Sequence, residues 1–189
     1  MVPDAKWRPL AQYCGLSLIA LVVIAASVLA APDLSGILGA GLGALMLAVA
    51  AIDARHFIIP NALTFAAFGL ALANAGVQQQ WEGVLTALLR SAAATLGFLA
   101  VRVGYQWLRG RQGIGLGDVK LAGVAGAWLT WTMLPVAVEI AALAALAVYA
   151  LRWVVGGRTV QRLTRVPFGL FFAPTIWLCW LLEMTLALT

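Results

Sequence analysis

Apolar stretches of about twenty residues alternate along this chain with short polar connections. They run over residues 10–31, 34–53, 61–78, 83–108, 118–134, 136–155 and 167–187. A helix rises ~1.5 Å per residue and a bilayer core is ~30 Å thick, so each stretch is near the length of a spanning helix. None shows the strict alternation of a barrel strand. Backbone groups in lipid must pair within their own segment, which favours helices. Pro32, Pro60, Pro135 and Pro167 fall at junctions, where a helix starts or stops cleanly. The pattern predicts an all-α fold: a polytopic membrane helical bundle of about seven transmembrane helices. It forms a single domain over residues 1–189, with no separate soluble domain.

Composition strengthens this picture. The chain is 63% hydrophobic and only 10% charged, more apolar than a soluble fold needs. The net charge of +5 could point to nucleic acid. However, eleven of the twelve basic residues collect in alternate connections: Lys6 and Arg8, Arg55, Arg102 to Lys120, and Arg152 to Arg165. That alternation is the signature of membrane topology. It puts the N-terminus in the cytoplasm, with the bilayer and not nucleic acid as partner. Arg90 alone breaks the pattern. It either snorkels to the outer surface or pairs with Glu139 or Glu183. Cys14 and Cys179 lie in apolar runs and form no CxxC pair, so neither a metal site nor a disulfide framework is expected. The first apolar run is too long for a signal-peptide core and reads as an uncleaved span. Glycines at 36, 39, 41, 43, 123 and 126 fit close helix packing.

Two acids stand out. Asp53 ends the second span and Asp118 begins the fifth, and the threading puts both on the basic, cytoplasmic face. Each could simply be a helix-end residue touching water, and Asp118 at an N-terminus fits that bland alternative well. Asp53 does not, because an acid at a helix C-terminus opposes the dipole. Two carboxylates in one place are costly unless they share a proton, and a shared proton is the basis of aspartyl protease chemistry. One carboxylate then serves as general base toward water while the other polarises the peptide carbonyl. The dipoles favour Asp118 as the ionised partner and Asp53 as the proton carrier. Gly115 and Gly117 beside Asp118 would let an extended peptide approach closely. The turn Ile58-Ile59-Pro60-Asn61 follows Asp53, with Asn61 placed to cap the next helix.

These residues resemble the prepilin peptidase family, the bacterial membrane aspartyl proteases of the GxGD type. The family pattern D-x-R-x-x-x-I-P-N-x-L-T is met by Asp53, Arg55, Ile59, Pro60, Asn61, Leu63 and Thr64. The pattern G-x-G-D-x-K-L is met by Gly115, Gly117, Asp118, Lys120 and Leu121. A weaker piece, Val166-Pro167-Phe168-Gly169, is similar to the family's P-F-G segment. The likeness runs over roughly residues 45–189. It implies a multi-pass protein of the bacterial inner membrane that removes the short basic leader of type IV prepilins or pseudopilins at the cytoplasmic face. Asp53 and Asp118 would be the catalytic pair. Gly115, Gly117, Lys120, Arg55, Pro60 and Asn61 would shape the substrate-binding loops. No cofactor and no metal are implied. Long members of the family carry CxxC motifs in an N-terminal domain linked to N-methylation. This chain shows neither and looks like a short form with the protease core alone.

Lys120 and Arg55 each sit two residues from an aspartate, a spacing that does not face it on a helix. They are either headgroup anchors or residues that orient substrate. His56, the only histidine, reads as an interfacial loop residue, and the tryptophans, Trp128 among them, read mainly as an interfacial belt. Three other functions fit less well. They are a GxGD protease for other membrane substrates, a small transporter or channel, and a non-catalytic assembly factor. A transporter would carry its acids near the bilayer midplane, not at span ends.

Overall fold

The computed structural model describes residues 8–111, 113–156 and 167–187. The basic residues Lys6, Arg158, Arg162 and Arg165, and Val166, lie outside them. The described residues form six helices and no strand: α1 (Arg8–Ala30), α2 (Leu34–His56), α3 (Asn61–Arg109), α4 (Leu116–Trp128), α5 (Met133–Gly156) and α6 (Gly169–Leu186). Of these, α2, α3, α5 and α6 are long and apolar enough to cross a membrane. Large apolar side chains such as Leu96, Leu143, Leu146 and Leu151 stand exposed on their outer faces. An apolar exterior on this scale suits lipid and not water. The chain is a helical membrane protein.

The 49-residue α3 is two helical segments in one run. Helical geometry fails at Gln79 and at Gln80, whose φ is +50°. Beyond that break Gly83 packs on the Ala75 carbonyl and Gly76 lies near Val84. Eight residues along a straight helix are ~12 Å apart, so these contacts require the chain to double back. The two apolar stretches expected at 61–78 and 83–108 are therefore separate helical segments, joined by a tight reversal.

The expected span at 118–134 takes a different form. Helix α4 has only 13 residues, ~20 Å, short of a hydrocarbon core. All nine residues from Leu121 to Leu129 are buried. The helix is sheathed mainly by the two halves of α3, with α6 alongside. Gly126 makes this possible, since a Cβ there would lie 2.5 Å from the Arg90 carbonyl oxygen. Protein surrounds α4, so its ends need not reach the headgroups.

Two further expectations change. Trp128 is not a belt residue. It is buried, donates its indole N–H to the Ala67 carbonyl at 2.9 Å, and meets Trp180 edge-on. Among the described residues Trp81, Trp107 and Trp131 are exposed. Arg90 faces the interior, lining a polar cavity with Glu183 and not with Glu139.

Candidate active site

Four chain segments converge at one end of the bundle: the last turn of α2, the turn into α3, and the first turns of α4 and α6. Helix α2 ends because Phe57 adopts a left-handed conformation, φ +55°, and its amide bonds the Asp53 carbonyl at 3.0 Å. That places Asp53 in the final turn, only 5% exposed. Its Oδ2 accepts the Leu170 amide at 3.0 Å. The first turn of α6 thus aims a free amide at the acid, compensating the unfavourable end of α2 on which Asp53 sits.

Asp118 stands in the first turn of α4, half-buried, ahead of the buried run Leu121–Leu129. Its Oδ2 accepts the Gly115 amide at 3.2 Å, as a helix-capping acid does. The bland reading of Asp118 is therefore correct as far as it goes, but it does not exhaust the residue. Asp53 and Asp118 line one cavity of about 360 Å³, together with Ile58, Ile59, Asn61, Gly115, Gly117 and Lys120.

Ile59 joins these segments. Its side chain sits 3.0 Å from where a Cβ on Gly117 would stand and 2.9 Å from one on Gly169. A Cβ on Gly169 would also come within 2.8 Å of Asp53 Oδ2. Both glycines are close-approach positions where any side chain displaces Ile59 or the acid. Gly115 is similar in a smaller way, with its Cβ position 3.1 Å from Asp118 Oδ2.

The remaining expected site residues divide. Lys120 is exposed on α4 and donates to Asn61 Oδ1 at 2.6 Å, clasping α4 to the start of α3. Asn61 is the first residue of α3 and not its cap. Pro60 holds the cap position without a side-chain bond, and Asn61 spends its oxygen on Lys120. Pro60 fixes the turn but does not line the cavity. Arg55 and His56 are exposed in the last turn of α2, outside the cavity.

Sequence reasoning missed two contributors. Arg102, counted only as a topology charge, donates to the Ile114 carbonyl and holds the loop that carries Gly115. Gly169 and Leu170 at the start of α6 support Asp53. The P-F-G resemblance marked that segment but gave no reason for it.

Fold and site together define a helical membrane protein with two carboxylates in one cavity at a bundle end. Residues 40–151 match the type IV leader peptidase family, and the chain belongs to that family. Both aspartates lie inside the matched stretch. The prepilin leader peptidase/N-methyltransferase of Burkholderia pseudomallei is 36% identical over 140 residues, 70% of this chain and 42% of that protein. Its namesake in Pseudomonas aeruginosa is 30% identical over 70% of this chain and 45% of its own length. The leader peptidase HopD of Escherichia coli is 31% identical over 64% of this chain and 77% of its own length. The chain thus spans under half the length of the N-methyltransferase relatives named here. No solved structure matches it.

Proposed function

We propose that this chain is an aspartic endopeptidase that removes the leader of type IV prepilins or pseudopilins at the cytoplasmic face of the bacterial inner membrane. The supporting observation is the cavity shared by Asp53 and Asp118, residues from different helices 65 positions apart (118 − 53). In this reading one carboxylate takes a proton from water, and the resulting hydroxide attacks the scissile carbonyl. The other, protonated, donates to the carbonyl oxygen as the tetrahedral intermediate forms. Collapse breaks the C–N bond: the first carboxylate gives its proton to the leaving amine, and the second takes one back from a hydroxyl of the intermediate, restoring the singly protonated pair. The pair works as one titrating unit.

The surroundings fit a peptide. Gly115 and Gly117 leave one wall of the cavity without side chains, so extended backbone can reach Asp118. Ile58 and Leu116 are exposed at its edge and offer apolar contact. Lys120 and Asn61 present polar atoms at the rim, where they orient the substrate backbone. Arg55, outside the cavity, serves as a headgroup anchor.

The whole chain is one domain in this reading and crosses the membrane seven times, with its N-terminus inside. Helix α1, α2, the two halves of α3, α5 and α6 contact lipid, and α4 crosses within the protein. The buried stretch Leu121–Leu129 supports that assignment. A cavity at the bundle end, not at mid-depth, argues against a transporter.

The test is incubation of the purified protein with a membrane-helix substrate bearing a short basic leader, with the products sized by mass spectrometry. A single cut between leader and helix is expected. Cuts within the apolar helix would instead assign the site to other membrane substrates. No cut with any of several leaders would overturn the peptidase reading.

A further inference from the structure

At the end of the bundle away from the aspartates lies a second polar cavity, of about 100 Å³, where both halves of α3 meet α4 and α6. Glu183, on its wall, stands 13 residues beyond Leu170 on α6, ~20 Å along the axis. Three buried polar atoms on residues of this cavity have no hydrogen-bond partner among the described residues: Asn74 Oδ1, Arg90 Nε and Trp180 Nε1. Asn74 is 7% exposed and Trp180 is 1% exposed. Glu183 Oε1 meanwhile accepts both the amide of Thr130, at 2.9 Å, and its hydroxyl. No hydrogen bond joins Arg90 to Glu183 among the described residues, although both face the same space.

We propose that this cavity is a built hydration site, in which about three water molecules bridge Arg90 to Glu183, with Asn74 and Trp180 as anchors. The donor and acceptor pattern selects the ligand. Two N–H groups need an acceptor, and Asn74 Oδ1 needs a donor. An inorganic anion without protons could not donate to Asn74, and a metal cation could not accept from Trp180 and Arg90. Water does both. At ~30 Å³ per molecule the volume holds about three, and the wall supplies the two to four polar partners each requires. The site also explains how Arg90 sits inside a membrane bundle: its charge is offset by Glu183 through water and not by direct contact. It is independent of the peptidase reading. Its structural consequence is that α3, α4 and α6 are tied together at this end, while α4 and α6 carry Asp118 and Leu170 at the other.

Hydroxyl-radical labelling by synchrotron radiolysis, read by mass spectrometry on the intact protein in detergent, tests the site, because trapped water labels side chains that bulk solvent cannot reach. Trp180 is expected to label several-fold more than Met46, which is fully buried in the dry core. In Asn74→Leu the Trp180 signal is expected to fall toward that of Met46, and the melting temperature to drop. Labelling of Trp180 no greater than Met46 in the wild type would overturn the proposal. So would an unchanged or raised melting temperature in Asn74→Leu, since a dry cavity gains from an apolar side chain. The wild-type comparison stands even if the variant does not fold.

Discussion

Gly169 makes the sharpest prediction at the scale of a single residue. A methyl group there meets Asp53 Oδ2 and Ile59 together, so Gly169→Ala should cut cleavage at least tenfold, roughly the effect of a small misplacement of a catalytic group. Wild-type activity in Gly169→Ala would remove α6 from the site. Both aspartates were legible in the sequence because a carboxylate closing an apolar span is costly to keep without a task for it. Gly169 was marked only by the P-F-G resemblance and its role was not legible, since its partners are 116 and 110 residues away (169 − 53 and 169 − 59) and only the fold brings them together.

Most of the helices follow directly from the hydropathy pattern, with ends within a few residues of those expected. The departures have physical causes. The break at Gln79–Gln80 carries no Pro or Gly at the turn itself, yet the polar run Gln78-Gln79-Gln80 marks it as water-facing. The shortness of α4 was hidden, because the apolar run continues past Trp128 into Leu129 and does not reveal that protein replaces lipid around it. What does mark α4 is its small residues. Gly123 and Gly126 press on Thr95, Ser91 and the Arg90 backbone. Gly126→Leu should therefore destabilise the protein by about 3 kcal/mol or prevent folding, read as loss of monodisperse material and a lowered melting temperature. Gly97 and Gly104 have nothing near their Cβ positions. The same substitution at Gly97 should be nearly neutral, and if it proved equally harmful the close packing of α4 would not be what Gly126 supplies.

At the scale of the whole molecule, charge and topology decide where the site works. Arg102, Arg109 and Arg111 gather at the aspartate end of α3, whereas Thr130 and Glu183 mark the other end. Single cysteines placed at Gly113 and at Thr132, in a background lacking Cys14 and Cys179, should react with an impermeant thiol reagent from opposite sides of inverted and right-side-out vesicles. Labelling of both from one side would refute the seven-crossing topology and with it the cytoplasmic site. The central claim is that Asp53 and Asp118 act as one unit in peptide hydrolysis. The most direct test is the cleavage rate of one leader-bearing substrate by the wild type, Asp53→Asn, Asp118→Asn and the double variant in the same detergent. Each single substitution should fall to the level of the double, because a shared water needs both carboxylates. Substantial activity in either single variant, or losses that multiply in the double, would contradict it.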